Sequence, residues 1–485
     1  MSTDPVEAAP ATPAPAPKPP APPPEPPKDP HLEALGRAET AARAKRYREA
    51  IGICEDVLEA APDHPPALAL LGAVHGQRGA IETGIPLLER ACGRNGSVAN
   101  WWLNLSGLYR MQCRMEEALT TARRAAQIGA SAAALFNLGK VHMDRGEHDQ
   151  ATTFFLAALA RDPDHAEAHL GLGQVLLMGG QMKPGWIEYE WRNKTEQARG
   201  MLPRMGTPMW NGMALPKARI LLVGDQGYGD TLQFARYIPA VAARCREVLL
   251  ACSKDLAPLL GRIPGVHACY TAWTGIPGHA AYCRLSSLPG VLGTELDSIP
   301  GPHPYLHADP ERVADWRGRL DARIERGRFR VGLFWAGRTT HPNDYRRSIG
   351  LSRLAPLAAI PGVALVSVAK APPSGDAEAM ARMNVLDLSA ELGDFGETAA
   401  LLANLDLVVT VDSAVGHLAG ALGVPVWTLL ARPSDWRWML ERTDSPWYPA
   451  VRFFRQPVPG DWDAVIAAVA EALVPLAARR ESVLA

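Results

Sequence analysis

The sequence lacks most of the features that would assign it to a specialised class of protein. Its seven cysteines are scattered, with no CxxC pair and an odd total. This pattern argues against a disulfide framework and against a zinc site, and it fits a reducing compartment. The net charge is −1, so no global field attracts nucleic acid or an anionic membrane. Any anionic ligand must therefore bind at a local site.

Long apolar segments are also missing. No run of about 18 apolar residues occurs, and the N-terminus has no apolar segment like that of a signal peptide. Hydrophobic residues make up 47% of the chain and charged residues 21%, which is typical of a globular protein. These features favour a cytoplasmic protein without a transmembrane segment, and 485 residues are enough for two or three domains.

Residues 1–30 contain many prolines and alanines and almost no large apolar side chain. Such a segment cannot bury enough surface to offset the loss of chain entropy, so we predict a disordered tail with some polyproline II character. Both a plain spacer and a ligand for a proline-binding domain fit this composition.

Residues 31–198 repeat themselves with a period of about 34 residues, which is the tetratricopeptide spacing. Small and apolar residues recur at matching offsets, as in one copy with Leu135, Leu138, Gly139, Gly146, Ala151, Phe155, Ala158 and Pro163. The next copy has His169, Leu172, Gly173, Gly180, Gly185, Tyr189 and Arg192. Four to five helix pairs should stack into a superhelix with a concave face.

Two roles are open for these repeats. They could form a groove for a protein or peptide partner, or serve as a scaffold that holds the rest of the chain or makes a homodimer. Asn104, Asn137 and Lys140 recur near helix positions that often face the groove, which suggests contacts with a peptide backbone.

The periodicity ends at residues 199–217, which we interpret as a linker. Short apolar runs then alternate with helical stretches in two sets, 218–327 and 328–485. This alternation predicts two doubly wound parallel sheets with a ligand in the cleft at the carboxyl ends of their strands. The expected strands are 219–224, 246–252, 266–270, 330–337, 363–370, 406–412 and 424–431.

The first strand runs into the glycine-rich loop GDQGYGDT, residues 224–231. Gly227 and Gly229 would allow close backbone approach, and Asp230 opens a helix. The loop lacks the GKS/T of a P-loop and fits the dinucleotide fingerprint poorly. Asp230 is either a helix N-cap or a carboxylate at the mouth of the cleft that takes a proton from an acceptor hydroxyl.

A basic loop, WAGRTTHPNDYRRSIGL, follows the first strand of the second set. Its Arg338, His341, Arg346 and Arg347 could form a solvated charged surface. Alternatively, they could neutralise a diphosphate leaving group at the position where a doubly wound fold binds its ligand.

The stretch VDSAVGHLAGALG, residues 411–423, predicts a strand end followed by a slim helix. Ser413 occupies the expected N-cap position after Asp412, and the first backbone N–H groups of this helix would form an anion site. His417 could bond a phosphate or only hold the loop. No carboxylate–histidine cluster suggests a metal site, and without a GxSxG elbow Ser413 is a cap or phosphate ligand rather than a nucleophile.

Taken together, five strings resemble the heptosyltransferase-like glycosyltransferases, a family with the GT-B fold. They are GWIEYEWR (185–192), GDQGYGDTLQFARYIP (224–239), RVGLFWAGR…HPNDYRRSIGL (330–351), LDLVVTVDSAVGHLAGALGVPVWTLL (405–430) and DWRWMLERTDSPWYP (435–449). The whole chain resembles bacterial proteins that join tetratricopeptide repeats to that domain.

The resemblance implies an all-α tetratricopeptide superhelix followed by an α/β GT-B region with two Rossmann-like domains. It implies a metal-independent transferase with a nucleotide sugar as co-substrate and no other cofactor. By family motif, Asp230 is the candidate general base. The donor and its phosphates would be bound by Gly227, Gly229, Arg338, Arg347, Asp412, Ser413 and His417.

The chain departs from the heptosyltransferases in two ways: it carries the repeats, and arginine replaces the usual lysine of the leaving-group loop. Repeat-bearing relatives resemble enzymes that modify proteins such as flagellin or other surface proteins. The alternatives are a catalytically silent adaptor and a transferase acting on glycan or lipopolysaccharide. Trp436, Arg437 and Trp438 could line the cleft or belong to the core.

Overall fold

A computed structural model describes residues 29–198, 200–203, 205–225, 227–301, 303–338 and 343–484, with side chains to residue 479. His341 and residues 1–28 of the predicted tail lie outside the described residues. At the end of that tail, the Asp29 carboxylate bonds Nε2 of His64 at 3.0 Å.

Residues 32–189 form five helix pairs within the described part of the chain, which confirms the predicted tetratricopeptide superhelix. Fully buried Ala151, Phe155 and Ala158 show why the recurring positions are apolar or small. The helices are α1 (Leu32–Arg43), α2 (Tyr47–Ala60), α3 (Pro65–Gln77), α4 (Ile81–Arg94), α5 (Ala99–Met111), α6 (Met115–Ile128), α7 (Ala132–Asp144), α8 (His148–Arg161), α9 (Ala166–Met178) and α10 (Met182–Tyr189).

The first α/β half has a parallel sheet with the order β3-β2-β1-β4. Its strands are β1 (Leu215–Val223), β2 (Cys245–Ala251), β3 (Val266–Tyr270) and β4 (Ala281–Arg284). Its helices are α11 (Tyr228–Phe234), α12 (Ile238–Ala242), α13 (Ala257–Leu260) and α14 (Leu288–Val291).

Two features of this half differ from the sequence prediction. β1 begins at Leu215, so the last three residues of the predicted linker 199–217 belong to the strand; Leu215 pairs with Cys245 ahead of an irregularity in register. The helix predicted after the glycine-rich loop divides into α11, a 3-10 turn and α12, since Pro239 has no N–H to continue the hydrogen bonding.

Helix α15 (Pro310–Asp321) leads to the second half, a parallel sheet with the order β10-β9-β8-β5-β6-β7. Its strands are β5 (Phe329–Phe334), β6 (Val363–Ser367), β7 (Leu386–Asp387), β8 (Leu407–Val411), β9 (Val426–Leu430) and β10 (Val451–Arg455). Its helices are α16 (Asp344–Arg347), α17 (Ala355–Ala358), α18 (Ala377–Arg382), α19 (Phe395–Leu402), α20 (Ala414–Leu422) and α21 (Trp462–Leu484).

The predicted fold class, a helical superhelix followed by two Rossmann-like sheets, is confirmed. Among the described helices, none combines the length and the apolar character needed to cross a bilayer.

One hydrophobic core joins the last repeat to both α/β halves. Trp186 and Tyr189 of α10 belong to it together with Trp436 and Trp447 of the second half. The indole of Trp186 donates to the Thr294 carbonyl at 3.0 Å, and its ring lies 5.4 Å from that of Trp436. The repeats are therefore packed against the α/β region rather than tethered to it by a linker alone.

Candidate active site

Helices α11 and α20 meet where β1 and β8 end, the position at which parallel α/β sheets bind ligands. Gly229 of α11 lies against the ring of His417 of α20, and a Cβ at residue 229 would stand 2.7 Å from the His417 Cδ2. A glycine is therefore needed for this close approach. The glycine-rich loop of the first half and the first turns of α20 thus face each other.

Arg437 joins the carboxylates of this cleft. Its Nη2 donates to Oδ1 of Asp230, and its Nη1 donates to Oδ1 of Asp435 at 2.8 Å. Its Nε donates to Oε1 of Gln233 at 2.7 Å. The guanidinium therefore orients Asp230, whose side chain keeps 35% of its surface exposed.

Two aspartates of the cleft have raised pKa values. Burial raises the pKa of Asp230 although Arg437 lies beside it. Burial and the neighbouring charge of Asp435 raise the pKa of Asp412 to about 6, while Arg347 acts in the opposite direction. Perturbed carboxyls that face a cleft are typical of functional sites.

Helix α20 begins with Ser413 as its N-cap. The Ser413 Oγ accepts from the Gly416 N–H at 3.3 Å and lies 2.9 Å from Oγ1 of Thr410. The first bond within the helix runs from the His417 N–H to the Ser413 carbonyl at 3.3 Å. The N–H groups of Ala414 and Val415 precede that bond, so they have no acceptor within the helix.

His417 is buried and held by two aromatic residues. Its Nδ1 shares a hydrogen bond of 2.8 Å with the Tyr448 hydroxyl, and its ring stacks on Trp438 at 5.0 Å. Burial, assisted by Arg437, holds the pKa of His417 well below its usual range, so the ring is neutral near pH 7. These contacts fix the orientation of the His417 ring.

The basic loop brings two predicted arginines to this place. The Arg347 Nη1 donates to the Asp412 carbonyl at 3.1 Å, directly before α20. The Arg338 guanidinium lies 4.7 Å from the ring centre of Tyr228 on α11. Arg346 instead turns away from the cleft, toward Asp144 of the repeats.

The remaining predicted residue, Gly227, is the N-cap of α11. A Cβ at residue 227 would stand closer to Oδ2 of Asp230 than van der Waals contact allows. A larger residue would therefore displace the carboxyl that Arg437 orients.

Arg437 is a residue of the cleft whose place sequence reasoning left undecided. Its neighbours Trp436 and Trp438 are core residues, each 2% exposed, whereas Arg437 points at Asp230 from 207 positions away along the chain. An arginine between two tryptophans could have indicated a buried ion pair, because a buried arginine needs a charged or hydrogen-bonding partner. The sequence could not identify that partner.

A cavity of about 220 Å³ adjoins the glycine-rich loop at the carboxyl ends of β1, β2 and β3. Gly224, Ser253, Tyr270, Trp273 and Arg284 contribute to its wall. The Ser253 Oγ is buried and has no hydrogen-bond partner among the residues that the structure describes, and Trp273 is 45% exposed. This combination of an aromatic face and a free hydroxyl could accommodate a polar ligand with apolar surface.

A larger cavity, of about 440 Å³, lies at the opposite end of α20, between Leu422, Val424 and α15. None of the predicted site residues contributes to its wall. Across the described ranges, no group of three or more His, Cys, Asp and Glu residues is placed to hold a metal ion.

Comparison with known families finds a matching segment in each part of the chain. Residues 370–456 match the glycosyltransferase family 9 (heptosyltransferase) model, and residues 136–183 match a tetratricopeptide-repeat model. The first match includes α20, Asp412 and Arg437, and the second runs from within α7 to the first two residues of α10.

Among curated proteins, Protein FlbA of Caulobacter vibrioides is 27% identical over 518 residues, which cover 92% of this chain and 84% of FlbA. Solved structures of repeat proteins align with about a third of the chain. The crystal structure of MamA is 20% identical, with a TM-score of 0.29, and the alignment covers 34% of this chain and 97% of MamA. A thermophilic TPR protein of Thermus thermophilus is also 20% identical, with a TM-score of 0.32 and coverages of 35% and 93%.

Proposed function

We propose that this chain, which joins tetratricopeptide repeats to a glycosyltransferase family 9 domain, transfers a sugar from a nucleotide-sugar donor to an acceptor hydroxyl. The observation that carries the proposal is the meeting of α11 and α20, with Gly229 against His417. It brings Asp230 of one half to the first turn of α20 in the other. A base and an anion site on opposite walls of one cleft are what glycosyl transfer requires.

The donor's diphosphate would bind at the first turn of α20. The N–H groups of Ala414 and Val415 and the helix dipole favour an anion there. Arg347, bonded to the Asp412 carbonyl, is adjacent, and Arg338 approaches from above Tyr228. These groups would stabilise the negative charge that develops on the leaving diphosphate.

The acceptor hydroxyl oxygen would attack the anomeric carbon as the bond to the diphosphate oxygen breaks. Asp230 would take the hydroxyl proton, and its raised pKa suits a base that works near neutral pH. Arg437 orients the carboxyl through Oδ1, which leaves Oδ2 to accept the proton. The chain's own cations would stabilise the leaving group, so we propose a metal-independent reaction.

A protein is the acceptor that the repeats favour, since tetratricopeptide superhelices bind other proteins on their concave face. The cavity with Ser253 and Trp273 would take the part of the acceptor next to the reacting hydroxyl. The seven cysteines are all free, which supports a reaction in the cytoplasm. A homodimer formed through the repeats is a further proposal, which the mass of the protein in solution would test.

The test is a thermal-shift screen of the full chain against a panel of nucleotide sugars, followed by measurement of nucleoside diphosphate release. We expect at least one donor to raise the melting temperature and to be turned over when an acceptor is added. If no nucleotide sugar binds or is hydrolysed, the transferase proposal is wrong. The alternative, a catalytically silent adaptor, is then supported.

A further inference from the structure

A buried ion pair connects α7 of the repeats to the basic loop of the proposed donor site. The Arg346 Nη1 donates to Oδ1 of Asp144 at 2.8 Å. The second oxygen of Asp144 is paired with Arg110 of α5, at 2.5 Å from Nη2. Next to this pair, the Tyr345 hydroxyl donates to the Arg110 carbonyl at 3.2 Å.

This ion pair is more enclosed than the surface pairs of the repeats. The Asp144 side chain is 5% exposed and the Arg346 side chain 9% exposed. Burial alone would raise the pKa of Asp144, but Arg110 and Arg346 hold it well below its usual range. Removing one partner of such a pair leaves a buried charge uncompensated, which is strongly unfavourable.

Arg346 depends on Asp144 for its position. Its Nε and Nη2 are buried without a hydrogen-bond partner among the described residues. Lys140, whose pKa burial lowers to about 8, interacts electrostatically with Asp144 and with Arg346. Without the Asp144 carboxylate, Arg110 and Arg346 would face each other with no counter-charge between them, and Lys140 would lose the charge that favours its protonated form, so we expect Arg346 to move away.

The same helical turn that carries Arg346 also carries Arg347. Both belong to α16, a single turn of four residues, so moving one moves the other. Arg347 is the residue that reaches the Asp412 carbonyl at the start of α20. Asp344 ties down the rest of the turn by accepting from the Ser348 Oγ at 2.8 Å.

We infer that Asp144, a residue of the repeats, is a positioning residue for the donor site, acting through Arg346 and α16 on Arg347. The inference rests on the proposed function for its catalytic consequence. The contact between the repeats and the loop stands independently of it. The repeats then support the chemistry directly, besides any part they play in binding an acceptor.

The experiment compares Asp144→Asn, Arg346→Met and the double variant with the unaltered full chain. Two quantities are measured: hydrogen exchange of the backbone of residues 343–349, and kcat/KM for the donor. Each single variant should exchange faster in this segment and lose about tenfold or more in kcat/KM, because small misplacements of a binding group are costly. The double variant should lose no more than the worse single variant, since both disrupt one interaction.

Arg110→Met is the matched control. It removes the other partner of Asp144 and leaves Arg346 paired, so segment 343–349 should exchange as in the unaltered chain. If Asp144→Asn and Arg346→Met leave both exchange and kcat/KM unchanged, the inference is wrong. The variants could instead have a lower melting temperature but an unchanged kcat/KM when assayed well below that temperature. This result would show that the pair is merely structural, and it would also overturn the inference.

Failure of the proposed function gives a different result. In that case the unaltered chain turns over no nucleotide sugar, so kcat/KM cannot be measured. The affinity of the variants and of the unaltered chain for a nucleoside diphosphate is then measured instead. Faster exchange in 343–349 with weaker diphosphate binding would still support the positioning role. Unchanged diphosphate binding would remove it.

Discussion

At the scale of single residues, the carboxyls of the cleft are held by a buried cation, Arg437. Arg437 contacts Asp230 and Asp435, and both of these raise its pKa well above the usual value against the opposing effect of burial. The charge of Asp412 is disfavoured, since burial and Asp435 act in the same direction on its pKa. A carboxyl whose ionised form is disfavoured in this way is typical of a ligand-binding site.

We predict that Asp412→Asn stabilises the protein more at pH 8 than at pH 5. The pKa of Asp412 is about 6 in the folded chain, against about 3.9 for an ordinary Asp. The folded state therefore favours the protonated form, and the cost of ionisation appears as the pH rises through 6. Melting temperatures of the variant and the unaltered chain at both pH values measure the difference.

Asp164→Asn is the control for that measurement, because Asp164 is an exposed residue in a turn of the repeats. Its effect on the melting temperature should be small at both pH values. An Asp412→Asn variant that is less stable than the unaltered chain at pH 8 would contradict the assignment of a raised pKa.

At the scale of elements, local signals predicted α20 well. Ser413 as N-cap and Gly423, which ends the helix in the left-handed conformation with φ 74°, delimit a helix predicted at residues 413–423. The repeats could also be predicted, because residues of the same type recur at the same spacing in several copies. Three strands were not predicted: β4 and β7, whose patterns of four and two residues are too short to be periodic, and β10, which has five residues.

Contacts between elements were beyond the sequence. The expectation that Asp230, Arg347 and Asp412 share a cleft came from the general rule for doubly wound sheets and from a family resemblance. Nothing in the sequence showed that Gly229 packs on His417 or that Arg346 reaches the repeats. Such contacts depend on how whole elements pack, and periodicity carries no information about that.

We predict that Gly229→Ala lowers both the melting temperature and the donor kcat/KM. The added methyl group would stand 2.7 Å from the His417 ring, so either the ring must leave its contacts with Tyr448 and Trp438 or α11 and α20 must move apart. Gly107→Ala is the control: it lies in α5 with no heavy atom within 4 Å of the added Cβ. That change should raise stability by about 1 kcal/mol through helix propensity and leave kcat/KM unchanged.

Equal stability and equal kcat/KM for Gly229→Ala and the unaltered chain would refute the close contact of the two helices. Circular dichroism of both variants would show whether either change disturbs the helices themselves.

At the scale of the whole molecule, the repeats and the α/β region are one packed body. Arg192, at the end of the last repeat, donates to the Ser286 Oγ at 2.8 Å and to the Ser287 Oγ at 2.7 Å. The Lys183 ammonium lies 3.2 Å from a carboxylate oxygen of Glu295. The predicted domain boundary at residue 198 therefore marks a change of sequence pattern. It does not separate two cores, because one hydrophobic core includes residues on both sides of it.

We predict that a chain lacking residues 31–198 does not accumulate in soluble form. It would expose the surface that Trp186 and Tyr189 cover in the shared core. A chain lacking only α1 and α2 should remain soluble and keep donor turnover, because repeat arrays depend on nearest-neighbour contacts. Soluble expression and nucleoside diphosphate release measure both outcomes, and a soluble, active α/β fragment would contradict the shared core.

The most direct test of the account is the comparison of Asp230→Asn with the unaltered chain, with donor affinity measured by calorimetry and sugar transfer measured on the same samples. The amide oxygen of this variant could still accept a hydrogen bond from Arg437, so the cleft should keep its shape and bind the donor with nearly unchanged affinity. Transfer should be abolished, because the amide cannot take the proton of the acceptor hydroxyl. Transfer at the rate of the unaltered chain would contradict the assignment of Asp230 as the base, and loss of donor binding would make it a structural residue.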